Sequence, residues 1–347
     1  MKKSLWTITA LLPLAVSCGQ HPDLPGYAGR DLTGLAEITR DRNTKEATLT
    51  VGVSGPWRLY GGPAADSIDL SEPVLAGKGS GSHAINTTLP QRHACFLFAA
   101  GDDRALLAER LLPMAGGYNM RDLGGYRSED GRYVRWGRII RSDDLHGLTD
   151  ADLAYLASLP VATVVDFRSA EEAQAMPDRL PGQGTAYLQL PITPGNLDDI
   201  GSYISMTPEE VEAKMEWMNV YFATSDEGKA RYREFFRLLQ QPEAGAVLFH
   251  CSAGKDRTGM AAALVLYALG IPEATVMEDY LASDGYLAGK YDRYKERFPQ
   301  LAGLFEVRPE YLSAGIERIK TDYGSVERYL RDELDVDIEA FRDAYLY

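Results

Sequence analysis

The chain has 347 residues, of which 45% are hydrophobic and 25% are charged, a balance typical of globular proteins. Its length exceeds that of one ordinary domain, so we expect two domains that each bury a core of their own. The formal net charge of −14 excludes a broad nucleic-acid-binding surface, because phosphate backbones are bound by clustered Lys and Arg. Any phosphate that the protein handles must therefore be bound locally.

The first 17 residues have the pattern of an export signal. Lys2 and Lys3 give a positive start, and the apolar run Leu5–Val16 is too short for a stable transmembrane helix. The sequence LAVSC resembles a bacterial lipoprotein signal, in which the cysteine becomes lipidated. We therefore predict a signal peptide at 1–17 and an exported protein that Cys18 anchors to the membrane of the bacterial cell envelope. Plain secretion with an unmodified Cys18 is the alternative.

Residues 18–34 carry Gly and Pro without clear periodicity and are predicted to be a tether. From 35 to 112, turn-forming residues separate four β-type runs: ATLTVGV (47–53), WRLYGG (57–62), HAINTTL (83–89) and CFLFAA (95–100). This spacing favours a small all-β sandwich, immunoglobulin-like or fibronectin-like. We expect it to be a spacer; carbohydrate binding and a packing role are alternatives. Cys95 is predicted to be free and buried, since Cys251 belongs to another predicted domain.

From 113 to 347 strand and helix patterns alternate. A continuous apolar run that ends at Asp166 is typical of a strand buried on both faces. Three helices are predicted to begin with capping boxes: Thr149–Asp152, Ser169–Glu172 and Thr207–Glu210. The alternation predicts an α/β domain with a mostly parallel central sheet flanked by helices.

Cys251 stands between a strand pattern at 246–249 and a helix pattern that begins at Thr258. In that arrangement the backbone N–H groups of 251–257 converge at a helix N-terminus, which binds anions. The same positive end stabilises a thiolate, so we expect Cys251 to be a nucleophile. Arg257 adds a planar guanidinium that can hold two oxygens of a phosphate.

The other residues of this loop are assigned supporting roles. Thr258 is expected to donate its hydroxyl toward the Cys251 sulfur, and His250 to fix the shape of the loop. A nucleotide-binding phosphate loop would need a glycine where Phe249 stands, and a zinc site would need more Cys and His nearby. An inert buried cysteine is the remaining alternative. Three small residues let the backbone approach an anion closely: Ser252, Ala253 and Gly254.

The sequence HCSAGKDRTG resembles the signature of the cysteine-dependent phosphatase superfamily, His-Cys-x5-Arg followed by Thr or Ser. The pair Lys255-Asp256 is similar to bacterial secreted phosphatases that accept phosphotyrosine, phosphoserine or phosphothreonine, and phosphoinositides. Four segments resemble recurring blocks of that subgroup: YNMRDLGGY (118–126), IIRSDDL (139–145), TVVDFRSAEE (163–172) and the segment 308–330. Lys255 and Asp256 are accordingly included in the phosphate-binding loop.

The resemblance implies a tyrosine-phosphatase-like domain at 113–347 that hydrolyses phosphomonoesters through a cysteinyl phosphate on Cys251, without a metal or another cofactor. Phosphotyrosine in proteins is the leading substrate class and phosphoinositides follow. Two alternatives are an inositol polyphosphate phosphatase and a non-catalytic phosphate-binding module.

The general acid is not fixed by the resemblance, because the sequence lacks the Trp-Pro-Asp tripeptide of common tyrosine phosphatases. Asp166, at the end of a predicted parallel strand, is the leading candidate, since sites in open α/β sheets lie beyond the carboxyl ends of strands. Asp256 is second, and Asp122 and Asp226 follow. Lys255 and Asp256 could instead fix each other.

Two further groups have structural and functional interpretations. Arg121 and Asp122 are predicted to form an ion pair near the loop, although Asn119 and Arg121 could contact substrate. The apolar helix face at 211–222 is predicted to be core, and a lid over a deep pocket is the alternative.

Overall fold

The computed structural model describes residues 27–85, 93–193, 200–241 and 245–347. The predicted signal peptide, Cys18 and the beginning of the tether lie outside the described residues, as do the last residues of HAINTTL. Within the described segments, helices long and apolar enough to cross a membrane are absent.

Two small antiparallel sheets form the N-terminal part of the chain. Their strands are β1 Ala36–Arg40, β2 Ala47–Val51, β3 Pro56–Gly62, β4 Leu75–Lys78, β5 Gly81–Ile85, β6 Cys95–Ala100 and β7 Asp103–Leu107. The strand orders are β1-β2-β5 and β4-β3-β6-β7. Each of the four predicted β-type runs overlaps a strand, so these strand predictions are confirmed.

The two N-terminal sheets share one hydrophobic core. In β2, Ala47, Leu49 and Val51 point inward while the residues between them are partly or fully exposed, as the two-residue period of a half-buried strand requires. The second sheet contributes Trp57 and Phe98, among others, to the same cluster. Burial of these aliphatic and aromatic side chains stabilises the region.

A five-stranded sheet forms the centre of the remaining chain. Its strands are β8 Arg121–Asp122, β9 Ile139–Ser142, β10 Val161–Asp166, β11 Ala186–Gln189 and β12 Ala246–His250, in the order β11-β10-β12-β9-β8. Three neighbouring pairs are parallel and only β8 runs antiparallel to its neighbour. The predicted mostly parallel sheet is confirmed.

Helices cover the central sheet on both faces. Val247 and Phe249 of β12 pack into one hydrophobic cluster, while Ala246 and Leu248 pack into another on the opposite face. The helices are α1 Asp150–Leu156, α2 Ala170–Ala175, α3 Ile200–Tyr203, α4 Pro208–Thr224, α5 Asp226–Leu239, α6 Arg257–Ala268, α7 Glu273–Tyr286, α8 Asp292–Arg297, α9 Ala302–Phe305, α10 Pro309–Tyr323, α11 Val326–Asp332 and α12 Ile338–Tyr345. All three predicted capping boxes are present, on α1, α2 and α4.

Helix α4 has the packing of a core helix. Four of its predicted apolar side chains are buried, Val211, Met215, Met218 and Phe222, whereas Trp217 is 46% exposed. The helix packs most extensively against α10. Met215, Met218 and Phe222 belong to the cluster that also contains Cys251. This packing favours the core interpretation over the lid.

The three parallel strands that matter for the site end at one edge of the sheet. Asp166 of β10 pairs with His250 of β12, and His250 pairs with Ser142 of β9. The residues that follow these three positions are therefore brought together, although His250 is distant in sequence from the other two.

Candidate active site

Cys251 lies at the start of the loop that joins β12 to α6. Its side chain is buried and its thiol is free, as is that of Cys95. Gly254 adopts a φ of +68°, and a Cβ atom there would stand 2.3 Å from the Ser142 carbonyl oxygen. Only glycine satisfies both conditions. The predicted strand, tight loop and helix are thus confirmed.

Three consecutive carbonyl groups of the loop accept hydrogen bonds from outside it. Lys290 Nζ lies 3.4 Å from Ser252 O, Asn119 Nδ2 lies 3.1 Å from Ala253 O, and Arg141 Nη2 lies 2.7 Å from Gly254 O. In a trans peptide the N–H group points away from the carbonyl. Each of these contacts therefore turns the following N–H group toward the opposite side of the loop.

The backbone N–H groups of 252–256 donate to no residue in the described part of the chain. Buried or converging backbone donors without partners are uncommon in native proteins, and at a helix N-terminus they form an anion-binding site. The helix that follows, α6, is buried along almost all of its 12 residues and is therefore held rigidly behind the loop. This part of the molecule is preorganised to bind a phosphate-sized anion beside Cys251.

A buried carboxylate, Asp279 of α7, holds the two arginines behind the loop. Arg121 Nε lies 2.9 Å from Asp279 Oδ1, and Arg141 Nη1 lies 2.6 Å from Asp279 Oδ2. Burial alone would raise the pKa of Asp279, but the two guanidinium groups outweigh it and hold that pKa well below its usual range. Burial, together with the charge of Arg121, lowers the pKa of Arg141 to about 10.

The predicted ion pair between Arg121 and Asp122 is wrong, because Arg121 pairs with Asp279. Asp122 is fully buried and accepts from the backbone N–H groups of Gly124 at 2.8 Å and Gly137 at 2.6 Å. Burial raises the pKa of Asp122. Its role in the structure is to hold the segment between β8 and β9.

Asn119 and Arg121 stand behind the loop. Both side chains are fully buried, and Arg121 Nη1 donates to Asn119 Oδ1 while Asn119 donates to the Ala253 carbonyl oxygen. Their contacts support the loop, and a contact of either residue with substrate stays a prediction.

Glu172, the capping residue of α2, binds Arg257 through both carboxylate oxygens. The Nη1–Oε2 and Nη2–Oε1 distances are both 2.6 Å. Ser252 Oγ and the Ser169 backbone N–H donate to the same carboxylate, each at 2.7 Å. Burial alone would raise the pKa of Glu172, but the hydrogen bonds and charge of Arg257 lower it. Glu172 thus fixes the guanidinium plane at the loop.

Asp166 is fully buried in a network on the far side of His250. It accepts from Arg168 Nη2 at 2.8 Å and from the Tyr187 hydroxyl at 2.6 Å. Burial alone would raise the pKa of Asp166, but His250 and Arg168 outweigh it and lower that pKa. A carboxylate held ionised in this way is a poor proton donor.

His250 joins the loop to the same network. Its Nδ1 donates to the Cys251 carbonyl oxygen at 3.2 Å, and its Nε2 lies 3.1 Å from Asp178 Oδ2. Burial alone would lower the pKa of His250, but Asp178 and Asp166 outweigh it and raise that pKa. Asp166, Asp178 and His250 have ligand atoms close enough for a metal ion, but Arg168 already bridges the two carboxylates.

Lys255 and Asp256 form an ion pair with each other. Lys255 Nζ lies 2.9 Å from Asp256 Oδ1, and the Asp256 side chain keeps 19% of its surface exposed. By contrast, the Asp226 side chain lies fully in solvent at the start of α5, 3.7 Å from Lys229 Nζ. Of the four carboxylates considered as general acid, Asp256 alone is both part of the loop and partly accessible.

Thr258 has a buried hydroxyl group without a hydrogen-bond partner among the described residues. It lies in the first turn of α6, next to Arg257. A buried hydroxyl without a partner is destabilising unless a further group binds it. The predicted hydrogen bond to the Cys251 sulfur is not made among the described residues, which leaves this hydroxyl to an anion bound beside that sulfur.

Comparison with known proteins shows the family to which a chain with this site belongs. A model of the tyrosine phosphatase family matches residues 112–347. The chain belongs to that family. It is 37% identical over 240 residues to a Cupriavidus necator protein named as a tyrosine-protein phosphatase, an alignment that covers 66% of this chain and 85% of that protein.

Two more distant relatives carry similar names. The tyrosine-protein phosphatase of Nostoc commune is 31% identical over 207 residues, covering 56% of this chain and 68% of that protein. The triple specificity protein phosphatase PtpB of Mycobacterium tuberculosis is 31% identical over 265 residues, covering 65% of this chain and 94% of that protein.

The sequence alone does not indicate the roles of several site residues in this member of the tyrosine phosphatase family. Glu172 is recognisable there as a helix cap, but its contact with Arg257 spans 85 residues. Arg141 lies in the segment IIRSDDL, but the resemblance of that segment to the family does not indicate a role for Arg141. Asp279 and Lys290 lie in α7 and just after it, where no motif stands out.

Proposed function

We propose that the protein is a cysteine-dependent phosphatase that hydrolyses phosphomonoesters, with Cys251 as nucleophile and Arg257 as the phosphate-binding cation. The observation that carries this proposal is the loop itself. Its consecutive backbone N–H groups have no partner among the described residues, and they lie between a buried free thiol and an arginine fixed by a carboxylate. Such an array stabilises the charge that develops on the three equatorial oxygens during phosphoryl transfer.

The reaction proceeds in two displacements at phosphorus. The Cys251 thiolate attacks, an S–P bond forms, the ester P–O bond breaks, and the departing oxygen takes a proton from a general acid. Water then attacks the cysteinyl phosphate, the S–P bond breaks, and inorganic phosphate leaves as a proton passes to the general base. Ser252, Ala253, Gly254 and Lys255 supply backbone donors throughout, while Glu172 keeps Arg257 oriented.

Asp256 is the general acid that we propose. It is part of the loop, its side chain is partly accessible, and its contact with Lys255 holds it in place. Asp166, the leading candidate from the sequence, is buried and held ionised by Arg168 and His250. We therefore assign Asp166 to the support of His250 and, through it, of the loop.

Protein phosphotyrosine is the substrate class that we propose first, with phosphoserine, phosphothreonine and phosphoinositides as further substrates. The family assignment and the name of the PtpB relative support this order. An inositol polyphosphate phosphatase is less well supported, because Lys255 and Lys290 are both paired with carboxylates. A pocket for several phosphates needs cations that are free to bind them.

The test is the turnover of para-nitrophenyl phosphate by the purified protein beside its Cys251→Ser variant. We expect release of nitrophenol by the first and none by the second. A protein that binds tungstate but releases no nitrophenol would be a phosphate-binding module and not an enzyme. A panel of phosphopeptides and short-chain phosphoinositides then ranks the substrates.

Two variants distinguish the acids. Asp256→Asn is expected to slow an alkyl phosphate more than para-nitrophenyl phosphate, because a poor leaving group depends more on protonation, and to remove the limb of the pH–rate profile at which the acid loses its proton. Asp166→Asn is expected to keep that limb. If Asp166→Asn lost that limb and Asp256→Asn kept it, Asp166 would be the general acid.

For the N-terminal region we propose an immunoglobulin-like or fibronectin-like spacer domain, which the two antiparallel sheets over one core support. We also propose export and lipid anchoring at Cys18, supported by the signal pattern of the first residues. Membrane fractionation of the protein and of Cys18→Ser tests the anchor, because the variant should leave the membrane fraction.

A further inference from the structure

The turn between β1 and β2 rests on the phosphatase region. Lys45 Nζ lies 2.5 Å from the Pro113 carbonyl oxygen and 3.5 Å from Asp152 Oδ1. At the base of the turn, Arg40 Nε donates to the buried carboxylate of Glu109 at 2.8 Å. These partly buried contacts hold the turn in one place, unlike a freely moving loop.

Arg42, in the same turn, reaches the rim of the active-site loop. Its guanidinium carbon lies 5.7 Å from the centroid of the Tyr118 ring, and Lys290 Nζ lies 5.6 Å from that centroid. Lys290 in turn contacts the Ser252 carbonyl oxygen at 3.4 Å. These successive contacts place Arg42 at most about 15 Å from the loop, a span of about four to five extended residues.

Arg42 differs from the other two cations of this rim in having no carboxylate in contact with it among the described residues, although its charge acts on the neighbouring Asp41. Lys255 is paired with Asp256, and Lys290 Nζ lies 2.6 Å from Asp143 Oδ2 and 3.0 Å from Asp144 Oδ2. Arg42 makes neither an ion pair nor a hydrogen bond with any residue that the structure describes.

The neighbouring acid, Asp41, interacts with the charge of Arg42 but makes its hydrogen bonds to other groups. Its Oδ1 accepts from the backbone N–H groups of Asn43 at 2.8 Å and Thr44 at 2.7 Å. The Arg42 guanidinium therefore keeps hydrogen-bond donors available to an anion that arrives beside Tyr118.

We propose that Arg42 determines specificity by binding the carboxylate of an acidic residue that flanks the phosphotyrosine of a peptide substrate. The inference rests on the proposed phosphatase function. One cation that makes no ion pair among the described residues matches one carboxylate, whereas a polyphosphorylated headgroup would need several. The aromatic ring beside it offers a surface for the intervening peptide. Since the family match begins at residue 112, this contribution comes from outside the matched region.

The experiment compares kcat/KM for phosphotyrosine peptides that carry one Glu, or Gln in its place, at each of four positions on either side of the phosphotyrosine. For the intact protein we expect a preference for Glu at one or two of these positions. In Arg42→Ala that preference should fall about two- to fivefold, through KM, as for one exposed ion pair. Arg42→Lys should restore part of it, and 1 M NaCl should remove it.

The matched control is Arg58→Ala, which removes an exposed arginine from β3 of the same domain. It should keep the full preference for Glu; an equal loss would show a general effect of charge and overturn the proposal. Loss of phosphoinositide turnover in Arg42→Ala with an unchanged peptide preference would also overturn it, in favour of a lipid headgroup. Absence of para-nitrophenyl phosphate turnover by the intact protein would refute the proposed function instead.

Discussion

The contact between Glu172 and Arg257 yields a quantitative prediction for the variant Glu172→Gln. Glutamine keeps the size of the side chain and can still complete the capping box with Ser169. It removes the negative charge. In the present structure each Arg257 Nη group donates to a carboxylate oxygen at 2.6 Å, and in the variant one of these oxygens is replaced by an amide nitrogen that cannot accept the hydrogen bond. The variant therefore tests the ion pair without removing the helix cap.

The expected loss of stability in Glu172→Gln follows from the burial of both partners. Glu172 is 8% exposed and Arg257 4%, so solvent does little to replace the lost partner. Removing one member of a buried ion pair destabilises a protein by about 3–5 kcal/mol. Because the variant retains some hydrogen bonds, we expect its loss of stability to be about 3 kcal/mol. A loss of that size lowers Tm by about 6–12 °C in a domain of this size.

The pH dependence of this difference has a definite sign. The pKa of Glu172 is lower in the folded protein than in the unfolded chain. The contact is therefore fully stabilising above the unfolded pKa of about 4.3 and is lost as the pH falls through the lower folded pKa. Thermal unfolding monitored by circular dichroism should show a constant gap between the two proteins from pH 8 to about pH 5, and a shrinking gap below that.

Glu171→Gln is the matched control, because Glu171 is the adjacent residue of the same helix turn and is exposed. It should lower the unfolding temperature far less than Glu172→Gln, because among the described residues Glu171 contacts only Ser169 and the helix N-terminus, and it should keep its activity. Glu172→Gln should lose about 10- to 100-fold in kcat/KM as Arg257 loses its orientation. An unchanged Tm in Glu172→Gln at pH 7, or a gap that does not depend on pH, would refute the reasoning.

Three further predictions concern the loop and the second thiol. Thr258→Val should change stability by less than about 1 kcal/mol, because its hydroxyl has no partner among the described residues, yet slow kcat about tenfold, because that hydroxyl is left to bind the phosphate beside Cys251; urea unfolding and steady-state kinetics separate the two effects. Gly254→Ala should weaken tungstate binding at least about tenfold by calorimetry, since its Cβ would meet the Ser142 carbonyl; unchanged affinity would contradict the need for glycine. Burial, followed by nearby carboxylates, raises the pKa of Cys95 to about 12, so peptide mapping should find Cys95 unlabelled by iodoacetate at pH 8 in the folded protein and labelled in urea.

Local features of the site could be predicted from the sequence because their causes are local. An apolar run, a turn with Gly254 and a helix pattern place Cys251 at a helix N-terminus, and the structure contains that strand, loop and helix. The capping box of Ser169 and Glu172 was equally predictable, because both partners lie within one turn.

The partners of those residues were not predictable, because charged side chains choose among many counter-charges at long range. Arg121 stands beside Asp122 in sequence but pairs with Asp279, which lies 158 residues away. The sequence pattern correctly predicts Asp166 at the end of a strand. Whether Asp166 could donate a proton depended on whether its side chain is exposed to solvent or paired with Arg168, and the structure shows the pair with Arg168.

The amino-acid sequence by itself determined the order of strands and helices, the loop around Cys251 and the residue types that phosphoryl transfer needs, since each depends on periodicity or on neighbours in the chain. Only the tertiary structure decided which carboxylate fixes Arg257, which arginines support the loop carbonyls, and that a turn of the N-terminal sheets brings Arg42 to the rim of the site. These contacts join segments that are distant in sequence, and their geometry exists only after the sheets and helices have packed.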